Sequence, residues 1–257
     1  MPVVFFIHGG GWGAGDKGMV NGSGFGYRIE GAAATHGKPL FFAQLGYVFV
    51  SANYRLLPDA TIGEMAQDLA KAMAWVRNNI ARYGGDPSQV VVMGHSAGAQ
   101  LAALLCTDES YLKAEGVRFA DMLRGCIPVD SDTNDVVVEV TQHGKWSAGG
   151  NSFGDDPAVW RALSPCTHCA PGKQIPPFLI LHIQDLNAPG GERGSGDGVL
   201  RTPRQAQLLA ASLRSAAVRV EVHAGAGKTH SSLDADIGKE GDQITAVVEA
   251  FLSSVLR

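Results

Sequence analysis

One stretch near the middle of the chain constrains the fold more than any other. An apolar run at 90–93 leads directly into Gly-His-Ser-Ala-Gly at 94–98, and a segment rich in Ala and Leu follows. This pattern predicts a buried strand, a very tight turn that exposes the hydroxyl of Ser96, and a helix. Glycines two residues before and after the serine remove the Cβ atoms that would collide where the strand meets the helix. Because an ordinary Gly-rich turn has the same pattern, the rest of the chain must decide whether Ser96 is a nucleophile.

A second stretch lies close to the start of the chain. The apolar run at 3–7 is typical of a strand buried on both faces, and it ends in His-Gly-Gly-Gly-Trp at 8–12. Consecutive glycines let a backbone approach a ligand closely and leave their N–H groups free to point at it. An oxyanion hole on the loop after an early strand needs these properties.

The order of apolar runs and helical patterns predicts the fold class. A capping box at 61–64 begins one helical pattern, and Thr202-Pro203 begins another with a second capping box to Gln205. Strand patterns alternate with the helical ones, which calls for an α/β fold: a mostly parallel sheet with helices on both faces. The predicted strands lie at 3–7, 47–56, 90–93, 125–130, 176–182 and 218–223.

Three polar residues at predicted strand ends suit nucleophilic catalysis. A serine hydroxyl needs a base to take its proton, and a carboxylate must orient that base. Ser96, Asp185 and His230 follow separate strands in this order, and such sheets place the ends of their strands at one edge. Asp130 and Asp132 also follow a strand and are alternative acids, although that strand comes one earlier than expected.

At this point the chain resembles a known superfamily. The stretches 8–12, 51–56 (Ser-Ala-Asn-Tyr-Arg-Leu) and 94–98 are similar to those of α/β-hydrolases that carry a His-Gly-Gly-Gly oxyanion motif. These include hormone-sensitive-lipase-like carboxylesterases, carbohydrate acetyl and feruloyl esterases, and kynurenine formamidases. The resemblance covers nearly the whole chain and is densest before residue 98.

The resemblance implies a role for each matching residue. It implies a triad and an oxyanion hole formed by backbone N–H groups, with no cofactor and no metal. The implied residues are the nucleophile Ser96, the acid Asp185, the base His230, and the N–H donors Gly10, Gly11 and Ala97.

Departures from the family pattern concern the acid and the pocket. The stretch 182–185, His-Ile-Gln-Asp, is one residue shorter than the family's motif and lacks its glycine. The chain begins at what should be the third strand, so the first two strands and any N-terminal cap are expected to be missing. We expect one domain over 1–257, with a more open pocket unless the Gly-rich loops 21–38 and 187–201 or a cap-like excursion at 132–161 cover it.

Composition bounds the partners. The 257 residues carry a net charge of −4 with a pI of about 6.0, which suggests neither nucleic acid nor an anionic membrane surface. No apolar run approaches the ~20 residues of a membrane span. The first residues have no basic leader, so a cytoplasmic protein is expected. Four cysteines are too few for a disulfide framework, and Cys166-Thr167-His168-Cys169 is only half a metal site.

Together these features predict a serine carboxylesterase that acts on small short-acyl or aromatic esters. An arylformamidase or another amidase is the alternative, because the same machinery serves both. A catalytically inactive binding protein would normally require a broken triad. Trp12 and His95 are expected near the substrate pocket, with a core role for Trp12 and a packing role for His95 as alternatives. Strand 47–56 is expected at an open sheet edge, where a homodimer could form or the 21–38 loop could cover it.

Overall fold

Six strands form the centre of the molecule. The computed structural model describes residues 1–20, 37–143, 152–184 and 201–256. All strand pairs in it are parallel, and the strand order is β2-β1-β3-β4-β5-β6. The strands are β1 (Val3–Ile7), β2 (Val48–Ala52), β3 (Val90–His95), β4 (Leu123–Val129), β5 (Phe178–Ile183) and β6 (Val220–Gly225).

Eleven α-helices are described around this sheet, and they confirm the predicted α/β class. The longest follows the predicted capping box: the side chain of Thr61 accepts a hydrogen bond from the Glu64 N–H, and the Glu64 side chain returns one. The helices are α1 (Lys38–Gln44), α2 (Ile62–Asn79), α3 (Ala97–Thr107), α4 (Glu109–Ala114), α5 (Phe119–Met122), α6 (Val136–His143), α7 (Pro157–Ala162), α8 (Pro165–His168), α9 (Arg201–Ser215), α10 (His230–Ala235) and α11 (Gln243–Val255).

The side chains of β1 show how the two faces of the sheet are buried. Val3, Phe5 and Ile7 belong to the core layer that also contains residues of α2, α3 and α9. Val4 and Phe6 point the other way, into the layer that contains residues of α1, α10 and α11. None of the five is exposed, as the continuous apolar run predicts for a central strand covered on both faces.

The register of the strands sets the position of the site. Ile7 of β1 lies opposite Gly94 of β3, and His95 lies opposite Val129 of β4. The loop after β1, the turn after β3 and the residues after β4 therefore meet at one edge of the sheet, where sites of open parallel sheets lie.

Some local predictions differ from the structure. The strand predicted at 47–56 ends at Ala52, and the predicted loop around His230 contains the short helix α10. Thr202 is not a helix cap, because α9 already begins at Arg201. The predicted partner Gln205 instead accepts a hydrogen bond from the Asp135 N–H at 2.7 Å.

The expected Gly-rich loops fall mostly outside the described residues. This holds for residues 21–36 of the loop 21–38 and for 187–200 of the loop 187–201. The excursion 132–161 contains α6 and α7, and its residues 144–151 are outside the description. Its role as a partial cap stays a prediction, as does the single domain.

Candidate active site

Ser96 lies at the strained turn between β3 and α3. Its backbone φ of 57° and ψ of −122° are rarely adopted by a residue with a side chain. A Cβ atom added at Gly94 would lie 2.1 Å from the carbonyl oxygen of Gly98, and one added at Gly98 would lie 2.3 Å from that of Ile7. Both glycines are therefore required for the close approach of strand, turn and helix, as the sequence predicts.

His230 is brought to Ser96 from the other end of the chain. It is the first residue of α10, whose preceding Thr229 forms a capping box with Ser232. The Nε2 of His230 lies 2.9 Å from the Oγ of Ser96. The two residues are hydrogen-bonded as a base and a nucleophile must be.

Asp130 is the carboxylate that contacts the base. It follows β4 directly, and its Oδ2 lies 2.6 Å from Nδ1 of His230. Its Oδ1 accepts a hydrogen bond from the N–H of Ile183 at 2.9 Å. Burial by itself raises the pKa of this carboxyl, but the hydrogen bonds from His230 and Ile183 outweigh it and hold the pKa below its ordinary value. Asp130 is therefore an ionised acceptor, and Nδ1 of His230 carries a proton.

This contact favours Asp130, one of the alternative acids, over the expected Asp185. Asp185 lies outside the described residues, and the structure gives its expected place at Nδ1 of His230 to Asp130. The reason is geometric: the side chain of Asp130 is buried at the end of the strand beside β3, within hydrogen-bond distance of the first residue of α10. The other alternative, Asp132, is buried but makes no hydrogen bond to His230 within the described part of the chain.

The loop after β1 presents free backbone N–H groups beside the serine. Gly10 and Gly11 have φ values of 121° and 60°, and a Cβ atom at Gly10 would lie 2.1 Å from the carbonyl oxygen of Ala14. Among the described residues, no backbone hydrogen bond is donated by Gly10, Gly11 or Ala97. Their role as oxyanion donors stays a prediction.

Tyr54 supports this loop, a role that the sequence pattern alone does not reveal. Its hydroxyl donates a hydrogen bond to the carbonyl oxygen of His8 at 2.8 Å. The two rings also stack, with 4.4 Å between their centroids. Burial lowers the pKa of His8, so this imidazole is neutral near neutral pH. Tyr54 belongs to the 51–56 stretch of the family resemblance, which was the available signal.

Trp12 and His95 do not line an open pocket, which corrects that expectation. Both side chains are 0% exposed. Trp12 donates a hydrogen bond from Nε1 to Gln100 at 3.3 Å and packs edge-on against Phe153. His95 lies under His230, with 4.5 Å between the ring centroids. The alternatives considered for both residues, core and packing roles, are the ones observed.

The described residues contain neither a metal-binding group of side chains nor a membrane-spanning helix. Within them, no group of three or more His, Cys, Asp or Glu side chains is arranged to hold a metal ion. All four cysteines are free, and burial raises the pKa of Cys169 to about 11. Among the helices described, none is long and apolar enough to span a bilayer.

The parallel sheet and the serine at the turn after β3 define the α/β-hydrolase class. Within that class the chain belongs to the BD-FAE family, whose model matches residues 1–186. That match includes Ser96, Asp130 and the glycine loop but ends before His230.

Curated relatives share parts of the sequence. Esterase LipQ of Mycobacterium tuberculosis is 26% identical over 266 residues, covering 99% of this chain and 55% of LipQ. A probable isoprenylcysteine alpha-carbonyl methylesterase of Oryza sativa subsp. japonica, ICMEL1, is 41% identical over 106 residues, covering 41% of this chain and 21% of that protein. The chain thus spans about half the length of LipQ.

Solved esterase structures share the fold. Esterase B of Lactobacillus rhamnosis has a TM-score of 0.70 and 19% identity, covering 99% of this chain and 76% of that one. The propionate-bound esterase of Thermogutta terrifontis has a TM-score of 0.68 and 22% identity, covering 99% and 83%. This chain therefore shares its fold with these esterase structures.

Proposed function

We propose that this chain is a serine carboxylesterase that acts through an acyl-enzyme intermediate. The observation that carries the proposal is the continuous hydrogen-bonded line from Ser96 Oγ through His230 to Asp130, with distances of 2.9 Å and 2.6 Å. A complete line of this kind also argues against an inactive binding protein.

The proposed acylation step follows from the protonation states. His230 carries its proton on Nδ1, because that nitrogen faces the carboxylate of Asp130, so the lone pair of Nε2 accepts the Ser96 proton. The serine oxygen forms a bond to the ester carbonyl carbon, and the carbonyl oxygen becomes an oxyanion. His230 then gives its Nε2 proton to the departing alcohol as the carbon–oxygen bond breaks.

Deacylation repeats these steps with water. A water molecule gives a proton to Nε2 of His230 and attacks the acyl carbon, and the proton then returns to Ser96 as the carboxylic acid leaves. In both steps the N–H groups of Gly10, Gly11 and Ala97 stabilise the oxyanion. Removal of one such donor in another serine hydrolase costs about 10²–10³-fold in turnover.

The substrate is proposed to be a small ester with a short acyl or aromatic group. The described helices between β4 and β5 have only eight, six and four residues, and none of them could shelter a long acyl tail. The solved Thermogutta terrifontis esterase is bound to propionate, the anion of a three-carbon acid.

The test is a substrate panel with a nucleophile control. p-Nitrophenyl esters from acetate to dodecanoate and N-formylkynurenine are offered to the wild-type protein and to Ser96→Ala. We expect acetate or butyrate esters to be turned over best, with a loss of at least ~10³-fold in the variant. Faster turnover of N-formylkynurenine than of every ester would support an amidase instead. Activity that survives Ser96→Ala would refute the proposed nucleophile.

A further inference from the structure

The fully buried imidazole of His95 contacts His230, the proposed base. His95 is 0% exposed, and its Nε2 lies 2.8 Å from the backbone carbonyl oxygen of His230. Since a carbonyl oxygen only accepts, Nε2 of His95 must carry the proton. The two rings lie 4.5 Å apart at an angle of 39°. One side chain thus contacts both the main chain and the ring of His230.

A buried ion pair lies in the same layer. The Nζ of Lys38 is 2.9 Å from Oδ2 of Asp234 and donates to the Asp234 carbonyl oxygen at 2.8 Å. Both side chains are almost completely buried, and Nζ also lies 5.1 Å from the centre of the Phe6 ring. Asp234 is one turn after His230 on α10, so the pair fastens the helix that carries the base to the first residue of α1.

The charged groups that act on His95 come from α1, from α10 and from the end of β4. The groups that act on it are Asp234 and His230 from α10, Asp130 after β4, and Lys38 from α1. Burial is the largest influence and favours the neutral ring, whereas the carboxylate of Asp234 favours protonation and Lys38 opposes it. A proton on His95 would place a cation beside His230, which must itself become a cation during catalysis.

We propose that His95 is a positioning residue that fixes His230 within the triad, and that the buried Lys38–Asp234 ion pair, one turn along α10 from His230, balances the charge around the two imidazoles. This inference rests on the proposed function, because it assigns His230 the role of the base. His95 acts through His230 and does not touch the substrate.

A matched pair of variants isolates the hydrogen bond. His95→Gln keeps an N–H donor near the position of Nε2, whereas His95→Met has a side chain of similar length and no donor. We expect His95→Met to lower kcat about 10-fold or more with an unchanged KM, since small displacements of a catalytic group are costly. His95→Gln should stay within about 3-fold of the wild type. Equal kcat values in the two folded variants would overturn the proposal.

A second pair tests the charge balance. Lys38→Met leaves the carboxylate of Asp234 unpaired. Because an unpaired carboxylate favours protonation of the nearby imidazole, the acidic limb of the kcat/KM profile should move to higher pH. The double variant Lys38→Met/Asp234→Asn removes both charges. The acidic limb of its kcat/KM profile should return to the wild-type position. An unchanged limb in folded Lys38→Met would overturn the assigned role of the ion pair. The double variant controls for lost packing, because it lacks the same lysine side chain. The His95 pair decides the proposal if Lys38→Met does not fold.

A measurement without substrate separates this proposal from the proposed function. Imidazole ¹⁵N NMR of the wild-type protein should show His95 neutral, with its proton on Nε2, from pH 8 down to pH 5. The tautomer with the proton on Nδ1, or a cationic ring in this range, would refute the positioning role. If only the proposed function is wrong, the protein should show this NMR signature but turn over no ester.

Discussion

The Oδ2 of Asp130 lies 2.6 Å from Nδ1 of His230, although 100 residues separate the two along the chain. The carboxylate follows β4, the strand next to the one that ends at the serine. The base is therefore held from the neighbouring strand of the sheet.

The first prediction concerns this contact. Asp130→Asn should lose about 10²–10⁴-fold in turnover, because an amide N–H cannot accept the Nδ1 proton and the imidazole takes the wrong tautomer. Stability should be less affected, since the amide oxygen can still accept the Ile183 N–H. Turnover and denaturant unfolding measure the two effects.

The two other carboxylates considered as the acid serve as controls for Asp130. Asp132→Asn and Asp185→Asn should each lose less than about 10-fold in turnover. If Asp185→Asn lost most of its turnover and Asp130→Asn kept nearly all of it, the assignment of the acid would be wrong.

The second prediction concerns Tyr54. Tyr54→Phe removes the hydroxyl and leaves the His8 carbonyl oxygen without that donor, at a cost of about 1–3 kcal/mol in unfolding free energy. Turnover should fall with it, because the glycine loop begins at His8. Tyr111→Phe is the control, since no hydrogen bond of its hydroxyl occurs among the described residues. Equal stability of the two variants would contradict the supporting role.

The third prediction is a pH dependence of stability. Burial lowers the pKa of His95 to about 4, below its ordinary value near 6.5. Between these values the unfolded chain binds a proton that the folded chain does not, so unfolding free energy should rise with pH from about 4 to about 6.5. His8, whose pKa is lowered in the same direction, adds to this slope.

The contribution of His95 to this slope is about 3 kcal/mol at 1.36 kcal/mol per pKa unit. Urea unfolding at pH 4.5 and pH 7.5 measures it. His95→Gln should flatten the slope, whereas His223→Gln, which changes a half-exposed strand histidine, should leave it unchanged. A slope that His95→Gln does not alter would contradict the lowered pKa.

The fourth prediction concerns the edge of the sheet. β2 is the first strand in the sheet order, so its outer side has no partner among the described strands. Unpaired edges recruit other strands unless they are covered. We expect concentration-dependent dimerisation in sedimentation velocity runs. A monomer at all concentrations, with rapid amide exchange over Val48–Ala52, would contradict both dimerisation and coverage of this edge.

Local signals explain what could be predicted from the sequence. The glycines around Ser96 are required by clashes within a few residues, so the turn could be predicted from its motif. Continuous apolar runs likewise predicted the strands of a sheet covered on both faces. The fold class and the pairing of Ser96 with His230 followed from these patterns.

The acid and the buried support of the base depend on tertiary contacts. Asp130 and Asp185 both follow strand patterns in the sequence, and only the tertiary contact of Asp130 with His230 favours one of them. Lys38 and Asp234 lie 196 residues apart, and neither belongs to a recognisable pattern. Burial of Trp12 depends on Gln100 and Phe153, which no spacing rule connects to it.

The placement of Asp130 on β4 also bears on how this scaffold can be changed. With the proposed acid at that position, the triad does not depend on a carboxylate from the connection between β5 and α9. The length and composition of that connection can then vary, in evolution or in a designed library, without disturbing proton transfer at His230. Substrate preference and proton transfer would then depend on separate parts of the chain.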